Sequence, residues 1–435
     1  LQESLLNDGM PRIADAPTST ASHRYAQLLL LVLAAGAIYP ILYLRQVYQT
    51  TMLDVFGIDN AQLGYLYSVL GIVFFVSYLP SGWLADRVAP RLLICFSLVA
   101  TGALGLWYST APSFHVLLVI FCCWGITTGL TFWASVLKRV RMIAGPNEQG
   151  RFFGLLDGGR GLVEALLATI ALALFASAAA SGRTPAIGLR HVIYLYSFTC
   201  IGLGALMSFF RDPAAPADIK ETARENRGQL WRDLAFLASI PQLWLVAAVV
   251  FCGYQIFWAT YSFSAYLQQG DLHLSVVAAG VVTTAKLWMR PLGGIGGGYL
   301  GDRFSNLRVL IVAMFAAVLG LVALIVLPAA RSVGLLAFVV LFVGAMTYAI
   351  RGLYWTLLDY CALPMRITGL AIGLVSLIGY SSDIFLPLVN GYVTQRFAGL
   401  MGYQIYFAYV ASVGALGCVA ALALARMKHS NSKPA

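Results

Sequence analysis

The sequence predicts an all-α membrane protein: twelve transmembrane helices in two pseudo-symmetric six-helix bundles. Three observations carry that expectation. Hydrophobic residues make up 60% of the 435 and charged residues only 11%, with a mean hydropathy of +0.80, more apolar surface than a water-soluble globule of this length can cover. The apolar residues gather into about twelve stretches near the 20 residues that a helix needs to cross roughly 30 Å of hydrocarbon. Finally, a charged hairpin, GWLADRVAPR from Gly82 to Arg91, returns half a chain-length later as GYLGDRFSNLR from Gly298 to Arg308, which points to a duplicated unit.

Taken in order, the spans are expected near Tyr25 to Thr50, Ala61 to Ala85, Leu92 to Tyr108, Phe114 to Leu137, Phe152 to Ala176 and His191 to Phe210. The second six follow near Leu243 to Leu267, Ser275 to Leu300, Val309 to Ala329, Val333 to Asp359, Ile367 to Phe397 and Tyr403 to Ala425. The one long polar connection, RDPAAPADIKETARENRGQLWR from Arg211, reads as a solvated, partly helical linker. The expected organisation is therefore a tail over 1–24, a bundle over 25–210, a linker over 211–241, a second bundle over 242–426 and a tail over 427–435. Lysine and arginine resist translocation and set orientation. They crowd the connections on one side (Arg87 and Arg91, Arg139 and Arg141, the linker, Arg303 and Arg308, Arg366, Arg426 and Lys428) and are sparse on the other. Both termini and the linker are expected in the cytoplasm of a bacterium, with the spans in its inner membrane.

Composition also excludes several classes. The net charge of +10 is explained by this topological bias, so nucleic acid is not an expected partner. The first 24 residues lack the basic start, apolar run and cleavage site of a signal peptide and read as a cytoplasmic tail. The seven cysteines lie in or at the ends of apolar spans without metal-ligand spacing, and read as small hydrophobes. No lysine follows a glycine, which rules out a G-K-[ST] nucleotide loop. The run PLGGIGGGYLG lacks a preceding strand and reads as tight helix packing through Gly293 and Gly297. The five histidines show no metal-ligand spacing. No cofactor, metal or catalytic residue is expected.

Each copy of the hairpin joins an even span to an odd one on the basic side. Gly82 and Gly298 would allow close backbone approach, and Asp86 and Asp302 would accept bonds from helix N-terminal amides. A positive-inside loop explains any one basic turn, but not G-x-x-x-D-R twice at equivalent places. That pattern resembles the signature loop of the major facilitator superfamily, and with the helix count and half-repeat the resemblance covers about Tyr25 to Ala425. It implies that the loop is a latch holding the cytoplasmic ends of the two halves together, with Gly82, Asp86, Arg87 and Arg91 matching the first copy and Gly298, Asp302 and Arg303 the second. Ala89 replaces the usual glycine, and Asn306 and Leu307 replace basic residues of the second copy, so the first copy is the better latch. Asp86 is expected to meet Lys138, Arg139, Arg141 or the start of span eleven.

A charge near mid-membrane costs about 2.5 to 3.5 kcal/mol on insertion scales and so invites a functional reading. Here such positions are Arg45, Arg160, Glu164, Lys286, Arg290, Arg351 and Asp383, five basic against two acidic, a surplus suited to an anion. Arg45, after the kinking Pro40, resembles the span-one arginine of the organophosphate:phosphate antiporter group; span seven has no arginine, so that group's phosphate clamp is not carried over whole. The alternative for Arg45 is snorkelling to the surface. In AMTYAIRGLYWTLLDY, Tyr348, Arg351, Tyr354 and Trp355 share a helix face, and a guanidinium grips carboxylate, sulfonate or phosphate with two hydrogen bonds; a static cation-π pair is the competing reading. The stretch IGYSSDIFLPLVNGY resembles a bacterial branch, the YihN-like transporters. In the superfamily that the chain resembles, spans five and eight pack across the interface between the halves; the resemblance implies that Glu164, one turn from Arg160, would pair with Lys286 or Arg290 of span eight, either permanently or as a gate.

The function expected is secondary active transport of a small anionic solute by alternating access, proton-coupled or by exchange. Arg45, Arg351 and Lys286 would bind it, with Tyr254, Gln255, Trp258, Tyr354 and Trp355 lining the cavity, and Asp383, Glu164, Arg160 and Arg290 would couple protons or gate. The partners are the solute, a proton or counter-substrate, and lipid; a monomer is expected. A multidrug exporter would carry an acidic cavity, and a transporter-like receptor or membrane enzyme would need a soluble domain or a catalytic cluster.

Overall fold

A computed structural model describes residues 21–144, 148–210, 227–269, 274–327, 332–361 and 363–431. Most of the expected tail (1–20), most of the linker (211–226) and the last four residues (432–435) lie outside the described residues. Those described are helical, without strands. Ten helical stretches are long and apolar enough to cross a membrane. The expected first and eighth spans fall outside that number: one is short before it breaks, and the other carries Lys286, Arg290, Asp302 and Arg303.

The first half begins with α1 (Ala21–Ala37) and α2 (Arg45–Phe56). Pro40 has no N–H and interrupts the ladder between them, so the chain passes through turns in which Leu42 N and Tyr43 N donate to Tyr39 O. Gly57, at φ 60°, closes α2 in the left-handed conformation that glycine adopts without strain. A capping box then starts α3 (Asn60–Arg87): Gln62 N donates to Asp59 Oδ1 at 2.7 Å and Asp59 N to Gln62 Oε1 at 3.1 Å. Next come α4 (Pro90–Tyr108), α5 (Phe114–Gly125), a π-helical turn (Ile126–Leu130), α6 (Trp133–Ile143), α7 (Gln149–Ala180) and α8 (Pro185–Ser208). Threonines make the π turn. Thr128 and Thr131 hydroxyls donate back to the carbonyls of Trp124 and Thr127, while Thr127 and Thr131 also meet Thr101 and Ser97 of α4.

Beyond the linker, α9 (Arg227–Ala238) precedes α10 (Pro241–Ala259), a 3-10 turn (Thr260–Ser262), α11 (Phe263–Leu267), α12 (Val276–Phe304), α13 (Asn306–Val326) and α14 (Val333–Leu353). A second 3-10 segment (Tyr354–Cys361) leads to α15 (Met365–Gly379), α16 (Ser382–Arg396) and α17 (Leu400–Asn431). Span eleven, read from the sequence as one helix, is two. Its break falls at Tyr380 and Ser381, where the Ser381 hydroxyl donates to the Ile378 carbonyl at 2.7 Å. Breaks thus occur in expected spans one, four, seven, ten and eleven, and irregular backbone at membrane depth is tolerated only where protein or a cavity satisfies it.

Before the linker, α4 packs on α8, α1 on α7 and α3 on α5; after it, α12 packs on α14, α10 on α17 and α13 on α17. Two seams join the halves, α3 along α16 and α7 along α12. The first seam needs glycine. A Cβ built at Gly71 would collide with the Asp383 carbonyl, and one at Gly391 would stand 2.5 Å from the Asn60 carbonyl, so the backbones touch. At the same end α11 and α12 cover α2. At the other end α15 packs on α10 and the seam with α3 thins out, so span eleven is seated against span two mainly along α16. The molecule is closed at the end carrying Gly57 and Gly399 and parted towards the end carrying the charged hairpins.

Candidate functional site

The helix breaks surround a core of aromatic rings. Tyr43 stacks on Tyr261 at 5.2 Å and on Tyr67 at 6.0 Å, with Trp258 edge-on to both Tyr43 and Tyr67. Phe257 meets Tyr261 edge-on at 5.2 Å, and Tyr254 meets Tyr380 at 4.6 Å. The Tyr354 and Tyr380 hydroxyls lie 3.0 Å apart, and Trp355 packs against Tyr354. Three of the intramembrane cations sit on this core, each against a ring face. Arg351 lies 4.1 Å from the Phe257 centroid and 5.9 Å from that of Tyr254. Lys286 Nζ is 5.9 Å from Tyr261, and Arg45 is 5.0 Å from Tyr67. Asp383, in the first turn of α16, accepts the Trp258 indole N–H at 2.5 Å.

The three cations differ in what else they hold. Among the described residues Arg351, half-buried, makes no hydrogen bond or ion pair; its contacts are aromatic. Lys286 is fully buried and donates to the Thr260 hydroxyl at 3.1 Å, again without a carboxylate among the described residues. Arg45 is equally buried, donating to Asn390 Oδ1 at 2.7 Å and Gln49 Oε1 at 3.3 Å. Arg45 and Arg351 occupy separate places: the contact path between them runs through Tyr67, Tyr43, Tyr261 and Phe257.

The remaining intramembrane charges form a network on the second seam. Arg290 Nη1 meets Glu164 at 2.7 Å and Arg290 Nη2 meets Asp157 at 3.5 Å, while Asp157 also holds Arg160 at 3.6 Å. Arg160 lies 4.9 Å over Trp133. The stem of Arg290 crosses α7 at Gly161, where an added Cβ would stand 2.6 Å from its Cδ. Lys286, one turn away, leaves Glu164 to Arg290 in this conformation. This network and the Trp288 indole, which donates to Thr169 at 3.1 Å, are polar ties across the α7–α12 seam.

The first hairpin is held within its own half. Asp86, in the last turn of α3, accepts from Lys138 at 3.1 Å, and the same ammonium donates to Ala85 O at 2.7 Å. Arg87 lies 4.0 Å over Trp83, and Arg91 donates to Ser208 O at 3.2 Å. The partner of Asp86 in this structure is thus an ammonium, and α4, which starts at Pro90 directly after the hairpin, takes no side-chain cap at Ala89. Arg139 is fully buried and caps α8 through the Phe210 carbonyl at 2.9 Å. Asp302, with Asp359, Asn306 and Gln242, lines a cavity of about 630 Å³ at the parted end, and Arg303 lies over Phe304. Neither Gly82 nor Gly298 is approached within 4 Å of a built Cβ, so the close contact expected at these glycines is absent in the parted conformation; Gly297 instead packs on Ala349.

Of the expected lining residues, Tyr254, Trp258, Tyr354 and Trp355 belong to the aromatic core. Gln255 is fully buried and its amide finds no partner among the described residues. Tyr67, Phe257, Tyr261 and Thr260, which hold or face the cations, were not singled out from the sequence. The cue was present in FWATYSF: an apolar helix with a Thr-Tyr-Ser interruption at mid-span marks a break, and the breaks place the rings.

The family model of the Major Facilitator Superfamily matches residues 27–387. Two inner membrane proteins of Escherichia coli K12 are similar nearly end to end: YihN, 28% identical over 93% of this chain and 96% of its own length, and YqcE, 29% identical over 95% and 97%. A probable hexose phosphate transport protein of Chlamydia pneumoniae is 22% identical over 59% of each chain. Among solved structures, a bacterial homologue of the human lysosomal transporter Spinster, in an inward-facing and unoccupied conformation, superposes with a TM-score of 0.77 at 15% identity over 96% of this chain and 100% of that one. The extent of the family match, the end-to-end relatives and the shared fold lead to one conclusion: this chain is a membrane protein belonging to the Major Facilitator Superfamily, a family of transporters and not of enzymes.

Proposed function

We propose that the protein is a secondary active transporter of a small anionic solute, working by alternating access through two six-helix bundles, with α1–α2 and α12 completing twelve spans and both termini in the cytoplasm. The observation that carries the anionic reading is Arg351, a guanidinium inside the membrane whose contacts are ring faces alone. A charge held within the membrane without a polar partner is costly, and an arriving carboxylate, sulfonate or phosphate supplies that partner in the forked geometry guanidinium prefers. Lys286 reinforces the potential, while the acidic Asp383 is occupied by the Trp258 indole. The printed name of the chlamydial relative, a hexose phosphate transport protein, agrees with a phosphorylated solute. The parted end corresponds to the cytoplasmic side by the distribution of lysine and arginine, which makes the conformation inward-facing. Asp383 or Glu164 carries the coupling proton, or a counter-substrate takes its place. When that end closes, Asp86 and its hairpin act as the latch.

The test is binding and uptake in proteoliposomes against phosphorylated, sulfonated and carboxylated compounds, with and without a pH gradient. Arg351→Ala and Arg351→Lys should each lower affinity by about tenfold or more, the scale of one charge-assisted hydrogen bond lost from a dry site. Near-normal affinity in a folded Arg351→Ala protein removes the anion assignment and leaves the superfamily membership intact.

A further inference from the structure

The closed end holds an arrangement that a purely structural seal does not require. Arg45 is 2% exposed and is the first residue of α2. Among the described residues no carboxylate reaches it, and its Nε has no partner. The charge is met by two neutral amide oxygens, of which Asn390 Oδ1 is the nearer at 2.7 Å. Asn390 is itself 2% exposed, and its Nδ2 donates to Ser262 Oγ at 3.2 Å. One carboxamide thus links the breaks of spans one and seven to α16.

The surrounding seal consists of neutral groups. Gln49 donates to Asn60 Oδ1 at 2.9 Å and Thr50 to Gln268 Oε1 at 2.7 Å; Ser264 donates to Val47 O at 2.7 Å, and Asn60 N to Gln395 Oε1 at 3.2 Å. The last three of these bonds cross between the halves and would have to break together when this end opens. Opening strips Asn390 from Arg45 and leaves Gln49 Oε1 as the acceptor remaining to the guanidinium.

We propose that the Asn390 carboxamide oxygen is an internal stand-in for the transported anion at Arg45, filling the guanidinium while this end is closed and yielding to the solute when it opens. The inference rests on the reading of Arg45 as a solute ligand. A neutral oxygen suits the role. A carboxylate would turn the contact into an ion pair with full Coulomb attraction and hold the end shut, and an apolar group would leave the buried charge unmet, destabilising closure. An amide lies between, so the solute can shift the equilibrium by its own differential affinity for the open state. Asn390 is on this account a positioning residue for Arg45 and never touches the solute at Arg351.

The test is hydrogen exchange by mass spectrometry on the full chain in nanodiscs, without any solute, following amides of α2 and α16. Asn390→Asp should slow exchange there by about tenfold, and Asn390→Leu should quicken it by about tenfold, as expected for strengthening or removing one hydrogen bond to a charge. Asn390→Ala serves in place of the leucine variant if that one fails to fold. A residue that merely fills space would shift exchange the same way in both variants. Equal direction, no change, or wild-type uptake by Asn390→Asp each overturns the proposal. Because exchange is read without solute, its failure is distinct from failure of the reading of Arg45 as a solute ligand, which is decided by anion binding to an Arg45→Gln variant.

Discussion

Lys286 is fully buried with a single hydroxyl for company, and a residue in that condition is kept for what it does, not for stability. Replacing a buried charge by an apolar residue of similar length is often neutral or stabilising by about 1 to 4 kcal/mol. Lys286→Met should therefore hold or raise the unfolding temperature in detergent while weakening anion binding. A variant that loses both stability and affinity would mark Lys286 as structural. Asp383 is read by a different measurement: Asp383→Asn should retain solute exchange down a gradient and lose acceleration by an imposed pH gradient. Acceleration that survives assigns the proton to Glu164 or points to exchange transport.

At the scale of elements, the two seams do different work. The α7–α12 seam is ionic, with Arg290 shared between Glu164 and Asp157 and laid across Gly161. Because the pair is only partly exposed, breaking it from one side leaves an uncompensated charge, and reversing it restores the attraction. Glu164→Arg and Arg290→Glu should each reduce transport strongly, and the double reversal should recover a substantial part of it, as a double-mutant cycle on uptake rate would show. The α3–α16 seam is instead backbone against backbone, and it is the one that parts towards the hairpin end. Gly71→Val would force the helices apart at a cost of about 1 to 3 kcal/mol from overpacking, visible as faster exchange in α16. Such a change in α7 alone would contradict the seam's role.

For the whole molecule, closure at one end and separation at the other is the geometry expected of one state in an alternating cycle. Asp86 is paired to Lys138 of its own half in this state; on the proposed cycle its latch contact belongs to the opposite state. Asp86→Asn should cut initial uptake rates while leaving the amount of folded protein in the membrane unchanged, since the interaction matters during conformational exchange; unchanged rates would remove the latch.

What the sequence determined by itself is what depends on sums over neighbouring residues. Hydropathy located the apolar stretches and the two G-x-x-x-D-R hairpins pointed to the family, because transfer from water and short motifs are local properties of the chain; the helical spacing that would set Arg351 on one face with Tyr354 and Trp355 ends at Leu353, and the rings Arg351 meets are those of Phe257 and Tyr254. What only the tertiary structure decided are relations between residues hundreds of positions apart. Arg45 turned out to face Asn390, with four rings between it and Arg351. Asp86 took an ammonium from span four, and Gly82 and Gly298 were left unpacked at the parted end. Such pairings depend on how helices distant in the chain pack and on where Ser381 or Thr260 breaks a helix. Neither enters a local sum: helix propensity at these positions differs from that of neighbours by a few tenths of a kcal/mol, and packing against the other half outweighs it.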